Sequence, residues 1–194
     1  MEGCTVSRTY DCGSTIQGIA NGDMLIENVK FIGNTFIHCR QAFEHFIRSK
    51  EGTAKYSDCE FSSNRCFEMG ENEFSTPETR DAALLSYERK PITGLSINKN
   101  FFWGSSAYCN QYCTAEMSGN TFYVFKDQYL LFNRWQPQDA VFADEEDGID
   151  KMRKVLGNES DKIFIADRGD SQLRSEIISE HFKGAEGDIK RLCK

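Results

Sequence analysis

Four asparagines stand in one fixed apolar frame, and this repeat limits the possible folds more than any other feature of the 194-residue chain. In each copy, two apolar residues separated by one position precede the asparagine, and another apolar residue follows it. The asparagines are Asn34, Asn64, Asn100 and Asn120, at intervals of 30, 36 and 20 residues. A constant unit with variable spacers predicts stacked, equivalent turns of the backbone, with the insertions in outer loops.

Each copy predicts a short β-strand followed by a corner. Val29 and Phe31, in the first copy, are two positions apart, so their side chains point to the same face of a strand. The asparagine that follows suits a corner, because its short amide tolerates the left-handed backbone region and bonds to neighbouring backbone groups. In stacked turns each amide can donate to the side-chain carbonyl of the next asparagine. We therefore expect a column of hydrogen-bonded asparagines.

The repeat also resembles that of a known superfamily. Its copies read "NVKFIGNTF", "DCEFSSNRC", "GLSINKNFF" and "AEMSGNTF", and over residues 24 to about 135 the chain resembles the right-handed parallel β-helix proteins of the pectate-lyase-like superfamily. The run "FIGNTFIHCRQAFEHF" and the copies after it are similar to coils of bacterial polysaccharide-degrading β-helix proteins. The resemblance implies an all-β, right-handed parallel β-helix with a carbohydrate ligand, although a fold does not by itself fix a function.

The sequence predicts two regions. Residues 1–138 are assigned to about four to six coils, and residues 139–194 to a short mixed α/β segment that caps the C-terminal end of the solenoid. The opening residues read like the middle of a coil, which favours a piece of a longer protein. The resemblance implies a secreted or cell-surface location, although residues 1–20 lack the charged start and apolar centre of a secretory signal.

The second region has its own pattern. Helical spacing at Ile149 and Met152 predicts a helix that ends at Gly157. A short strand at 163–165 and a further helical or irregular stretch at 171–182 are also expected.

Charge and hydropathy exclude several classes of partner. The formal net charge is -7 and the sequence pI is about 5.1, which argues against nucleic acid and against an anionic membrane surface. No run approaches the ~20 apolar residues of a transmembrane helix. The partner that the superfamily resemblance implies is a polysaccharide or other glycan.

The cysteines and acidic residues give little sign of a cofactor. Among eight cysteines, the only close pair is Cys109 and Cys113, with no second pair or histidine cluster nearby, so no metal site is predicted. Cys59 and Cys66 occupy apolar positions of the repeat and are expected to fill the core. The acidic run 144–147 lacks the ligand alternation of an EF-hand. Calcium stays open only as a partner of lyase chemistry.

The longest interval contains the excursion 67–90, where catalytic residues are expected because loops on a rigid scaffold carry function. For glycoside hydrolysis the candidates are Glu68 and Asp81, since that reaction needs two facing carboxyl groups. For a lyase the superfamily resemblance implies a basic residue near a uronate, and Lys99 and Arg80 would fill these roles.

Substrate-binding candidates come from neighbouring coils. Arg40 and His45 could reach the excursion, and the aromatic rings of Trp103 and Tyr108 could stack on sugar faces. Three functions stay open at this stage. They are a polysaccharide lyase or glycoside hydrolase, a glycan-binding or adhesion module without turnover, and a structural fragment of a larger β-helix enzyme.

Overall fold

The computed structural model describes residues 1–74, 82–86, 93–104, 106–109, 115–132, 139–156 and 160–193. These residues are mostly strands with few helices, and the sheets are mainly parallel. The strands are β1 (Thr5–Ser7), β2 (Cys12–Ala20), β3 (Met24–Glu27), β4 (Lys30–Ile32), β5 (Thr35–Ile37), β6 (Gln41–Ser49), β7 (Ala54–Ser57), β8 (Cys59–Ser62), β9 (Arg65–Phe67), β10 (Ala82–Ser86), β11 (Leu95–Asn98), β12 (Phe101–Trp103), β13 (Ser106–Cys109), β14 (Glu116–Ser118), β15 (Thr121–Phe125), β16 (Tyr129–Phe132), β17 (Val141–Phe142) and β18 (Lys162–Ala166). The helices are α1 (Gly148–Leu156), α2 (Ser171–His181) and α3 (Glu186–Leu192).

The strands form four sheets that the chain visits in a recurring order. Sheet 1 has the order β1-β5-β9-β12-β15-β18, sheet 2 β2-β6-β10-β13-β16-β17, sheet 3 β4-β8-β11-β14, and sheet 4 β3-β7. All pairings are parallel except that between β16 and β17. After β1, β5, β9 and β12 the chain passes through sheet 2 and then sheet 3 before it returns to sheet 1, whereas after β15 it passes through sheet 2 and α1 and returns to sheet 1 as β18.

The four repeat copies are in register, as the spacing predicts. The apolar residue after each asparagine lies beside its equivalent on the next strand of sheet 1, namely Phe36, Cys66, Phe102 and Phe122. The apolar residue before each asparagine does the same on sheet 3, namely Phe31, Phe61, Ile97 and Met117. These side chains form or border the central core, and the prediction that Cys59 and Cys66 fill it is confirmed.

The asparagine column is confirmed. Asn34 Nδ2 donates to Asn64 Oδ1, Asn64 Nδ2 to Asn100 Oδ1, and Asn100 Nδ2 to Asn120 Oδ1, each at 3.0 Å. All four asparagines are at most 1% exposed. The column continues into the C-terminal region, because Asn120 Nδ2 donates to the Asp161 carboxylate at 3.2 Å. We call these residues the asparagine corner.

The asparagines themselves do not adopt the left-handed conformation that the sequence suggested. The residue before each one does, with φ of 64° at Gly33, 55° at Ser63, 56° at Lys99 and 65° at Gly119. The two consecutive residues have different roles. Because the preceding residue bends the chain, the asparagine can point inward and bond to the next turn.

A second corner follows the strands of sheet 1. Its residues are Arg8, His38, Glu68 and Gly104, again with positive φ, of 51°, 56°, 52° and 76°. All four of these backbone N–H groups donate to the next strand of sheet 1, as in His38 N to Phe67 O at 2.8 Å and Glu68 N to Trp103 O at 2.7 Å. We call this set the second corner.

The C-terminal region confirms the predicted elements α1, β18 and α2, whereas α3 was not expected. The region does not lie entirely at the C-terminal end of the stacked strands, where the sequence predicted a cap. Met152 of α1 joins the central core beside β16 and β17, but α2 and α3 lie on the outer face of sheet 1. There Phe182, which is fully buried, packs edge-on against Phe67 with 5.0 Å between ring centroids. The outer face of sheet 1 is apolar, so a cover over it removes that surface from water.

Candidate functional site

The structure separates the two predicted catalytic residues that it describes. Glu68 lies at the second corner, directly after β9, whereas Lys99 lies exposed at the asparagine corner, before β12. The strands between these corners have three residues, so the corners are about 10 Å apart along the strand. Asp81 and Arg80 lie outside the described residues. Glu68 and Lys99 are therefore not brought together into one site.

Two of the predicted substrate-binding residues are buried, which corrects the expectation for them. His45 is 0% exposed in β6 and stacks on Phe43, with 5.5 Å between centroids. Trp103 is 1% exposed and belongs to the cluster that sheet 1 shares with α2 and α3, edge-on to Phe125. Neither ring offers a surface for stacking on a sugar, because one faces the core and the other is covered by helices. The backbone of Tyr108 lies in β13, and its side chain is outside the described part.

Three glutamates of the predicted excursion are each held by an arginine. The pairs are Glu68 Oε1 with Arg174 Nε at 3.1 Å, Glu71 Oε2 with Arg168 Nη1 at 2.8 Å, and Glu73 Oε1 with Arg8 Nη2 at 2.6 Å. A backbone hydrogen bond, followed by Arg8, lowers the pKa of Glu73. Burial raises the pKa of Glu71, and the Arg168 ion pair offsets this only in part.

A different pair of carboxyl groups lies where β6 pairs with β2, the edge strand of sheet 2. Glu44, in β6, is 5% exposed, and Asp11, just before β2, is exposed. A carboxylate oxygen of each and the Cys12 Sγ all lie within 4.8 Å of one another. Arg40, a predicted substrate-binding residue, lies close enough for its charge to act on Glu44.

The two carboxyl groups have unlike environments. Burial, and next the charge of Asp11, raise the pKa of Glu44, and the Cys12 hydrogen bond and Arg40 offset this only in part. Burial and the two carboxylates raise the pKa of Cys12 to about 12. Cys12 is therefore a neutral thiol that can hydrogen-bond to Glu44 and is not a nucleophile near neutral pH. Glu44 is biased toward its protonated form and Asp11 is open to water, which is the division that acid and base roles require.

Two aromatic rings with exposed surface flank the segment that carries Asp11. Tyr10, next to Asp11 in the chain, is 70% exposed and meets Phe74 edge-on with 5.4 Å between centroids. Asn72 holds the start of the excursion in place, because its Nδ2 donates to the carbonyl oxygens of Thr9 and His38 at 3.0 Å. The first residues of the excursion thus lie against the segment that carries Asp11.

Sequence reasoning missed Asp11, Glu44 and Tyr10. One signal was present: Glu44 is the only acidic residue in the nine-residue strand β6. Asp11 and Glu44 are also separated by about one repeat interval, which places them on neighbouring turns.

A second cluster lies at the second corner. A ligand atom from each of His38, Glu68 and Cys193 lies within 4.8 Å of the other two. Burial lowers the pKa of His38, and burial followed by the Glu68 charge raises the pKa of Cys193 to about 12. The His38 Nδ1 atom is shielded from solvent and makes no hydrogen bond within the described part of the chain. The cluster borders a cavity of about 540 Å³ between α2 and α3, which Arg174 and Cys193 help to line.

Comparison of the chain with protein-family models, with curated proteins and with solved structures found no match. Within the described residues, every helix is too short or too polar to cross a membrane. The geometry of the two clusters is therefore what can support a function.

Proposed function

We propose that the chain is a right-handed parallel β-helix that hydrolyses a glycan, with Glu44 and Asp11 at the reacting bond. Two features support the fold assignment. The chain visits sheets 1, 2 and 3 in the same order on successive turns, and the asparagine column joins equivalent corners. A repeated parallel circuit of this kind is what a solenoid requires.

The paired carboxyl groups carry the proposal. Glycoside hydrolysis uses one protonated carboxylic acid and one carboxylate, about 5–5.5 Å apart in retaining enzymes and about 6.5–9.5 Å apart in inverting ones. Oxygens of Glu44 and Asp11 lie within 4.8 Å, which favours retention of the anomeric configuration. Glu44 is the acid because its environment favours the neutral form, and exposed Asp11 is the nucleophile.

The reaction has two steps in this assignment. Glu44 gives its proton to the glycosidic oxygen while an Asp11 oxygen attacks the anomeric carbon, so the carbon–oxygen bond to the leaving sugar breaks and a glycosyl ester forms. Glu44, now a carboxylate, then takes a proton from water, whose oxygen attacks the same carbon and releases Asp11. Cys12 remains a neutral hydrogen-bond partner of Glu44 throughout.

Substrate binding is assigned to groups around the pair. Tyr10 offers an exposed ring face, and a flat ring with a wet polar end is suited to stacking on a sugar. Arg40 supplies the neighbouring cation, in keeping with the sequence expectation for that residue. The net charge of -7 favours a neutral glycan over a polyanionic one.

A non-catalytic glycan-binding module is the second candidate. The 70% exposure of Tyr10 favours it, because the same platform would bind a sugar without any proton transfer.

The deciding experiment measures reducing-end release from plant, algal and host glycans. The parent chain is compared with Glu44→Gln and Asp11→Asn, and with Glu51→Gln as the matched control, since Glu51 is an exposed glutamate just after β6. We expect cleavage by the parent and the control, and losses of at least about 100-fold in the two site variants. Binding without cleavage would replace the hydrolase by the binding module. An unsaturated product would indicate a lyase, and absence of both binding and cleavage would overturn the proposal.

A further inference from the structure

We propose that His38, Glu68 and Cys193 form a zinc site that fastens α3 to the second corner. The proposal does not depend on glycan hydrolysis, because none of these residues belongs to the Asp11 and Glu44 pair.

The backbone brings the three side chains together from distant parts of the chain. His38 and Glu68 are equivalent residues of successive turns, and both adopt positive φ, so their side chains leave the same corner in the same sense. Cys193 follows α3, and its N–H still bonds to Ile189 O at 3.0 Å. Its thiol therefore reaches the corner from a helix whose Ile189 is packed against sheet 1.

The donor set selects the metal. Imidazole nitrogen, carboxylate oxygen and thiolate sulfur are the ligands of zinc sites, whereas calcium and magnesium prefer oxygen alone. In tetrahedral zinc sites, bond lengths of about 2.0–2.3 Å place the donor atoms about 3.3–3.8 Å apart. The three donors lie within 4.8 Å of one another, so a contraction of about 1 Å, within reach of side-chain rotation, completes the site. Three protein ligands leave a fourth position for water or for a ligand from the adjoining cavity.

A second observation points to a missing partner. A buried polar nitrogen normally has a hydrogen-bond partner, and one without it is costly. His38 Nδ1 is such an atom among the described residues. We assign this nitrogen as the His38 ligand atom, because a metal ion there supplies the partner that the surrounding side chains do not.

The charges in the cluster agree with a divalent cation. The Glu68 carboxylate and a Cys193 thiolate together balance Zn²⁺. Arg174 Nε donates to Glu68 Oε1 at 3.1 Å, which orients the carboxylate in the way that outer partners of metal ligands do. On binding, the sulfur–hydrogen bond of Cys193 breaks, the sulfur binds Zn²⁺, and the proton leaves to solvent.

The test titrates the metal-free chain with zinc chloride by calorimetry, in buffers that differ in their enthalpy of ionisation. We expect one Zn²⁺ per chain and release of about one proton. His38→Asn and Cys193→Ser should each weaken binding by more than about 100-fold, since losing an outer partner alone costs about 10- to 100-fold. Asparagine tolerates the positive φ at position 38, and far-ultraviolet circular dichroism checks that both variants fold.

The matched control is Cys4→Ser, because Cys4 is an exposed thiol at the other end of the chain, and we expect it to bind zinc like the parent. Cobalt substitution gives a second readout, with thiolate-to-metal absorption in the parent and none in Cys193→Ser. Failure of the parent to bind zinc would overturn the proposal. So would zinc binding that persists in Cys193→Ser or is lost in Cys12→Ser. Glycan cleavage measured in the same zinc-free samples tests the hydrolase separately.

Discussion

The asparagine corner and the second corner bend the same chain at the two ends of sheet 1, but they are built from different chemistry. The first repeats a buried asparagine on four successive turns, so that each amide bonds to the next. The second carries Arg8, His38, Glu68 and Gly104 in equivalent positions. It repeats a backbone conformation without repeating a side chain.

This difference indicates what each corner does. A corner with the same buried side chain on every turn satisfies the backbone and specifies the stack. A corner with a different side chain on every turn is free to make particular contacts. Arg8 pairs with Glu73, Glu68 pairs with Arg174, and His38 lies beside Glu68 and Cys193. Substitutions at the two corners should therefore change the free energy of unfolding by different amounts.

The largest effect is expected at the asparagine corner. Asn64 Oδ1 accepts from Asn34 N and Nδ2, and Asn64 Nδ2 donates to Asn100 Oδ1 and Phe31 O. Asn64→Ala should lower the free energy of unfolding by about 4 kcal/mol, because at least two buried groups lose their partners at about 1–3 kcal/mol each. Urea unfolding measures this.

The control for that prediction is Asn98→Ala. Asn98 is on the outer side of sheet 3, where its Oδ1 accepts only from Ser118 Oγ at 2.9 Å among the contacts of the described residues. We expect a loss below about 1 kcal/mol there. Equal losses at the two positions would contradict a special role for the buried column.

The next effect depends on the space around a glycine of each corner. An alanine Cβ at Gly104, φ 76°, would lie 2.7 Å from Phe125 Cζ, whereas at Gly119, φ 65°, it would meet nothing closer than Lys99 Cγ at 3.8 Å. Gly119→Ala should cost about 1 kcal/mol for the left-handed backbone alone. Gly104→Ala should cost about 3 kcal/mol, because overpacking adds about 1–3 kcal/mol. Thermal and urea unfolding of the two variants test whether the second corner is the tighter one.

The contrast between the two corners also separates the features that the sequence predicts from those that it does not. The asparagine column and the strands around it depend on a pattern repeated along the chain, and so they can be predicted. The wrong expectation for Trp103 arose because alternation tells which residues share a face of a strand, not whether distant helices cover that face. His45 instead lies on the core side of β6, stacked on Phe43. Cys193 comes close to His38 only because α2 and α3 pack on the outer face of sheet 1. The spacing of residues along the chain cannot predict that contact.

A smaller effect concerns the ion pairs of the second corner. Arg174 and Glu68 have side chains 32% and 14% exposed, while Arg8 and Glu73 are 46% and 45% exposed. Double-mutant cycles in the metal-free chain should give a coupling of about 1 kcal/mol for the first pair and a smaller coupling for the second, since solvent screens exposed pairs. The opposite ranking would contradict the assignment of Glu68 to a partly buried cluster.

The smallest effect should be an increase in the free energy of unfolding, and it should disappear in acid. It concerns Glu44, the residue proposed as the catalytic acid. Because burial and Asp11 raise the pKa of Glu44 above its ordinary value, the folded chain holds this proton more tightly than the unfolded one. Its contribution to stability is complete below the unfolded pKa and is lost as the pH rises through the folded pKa. Glu44→Gln, which stays neutral, should therefore become more stable than the parent at neutral pH.

Urea unfolding of the parent, Glu44→Gln and Glu51→Gln across that pH range measures this effect. The advantage of Glu44→Gln should grow with pH, whereas exposed Glu51 should show little change. A parent that gains stability over the Glu44 variant on the same rise in pH would mean that the fold favours the charged form. Glu44 could then not serve as the acid. The combination of a more stable variant with lost cleavage would instead show that this carboxyl group is kept at a cost to the fold, unlike any asparagine of the column.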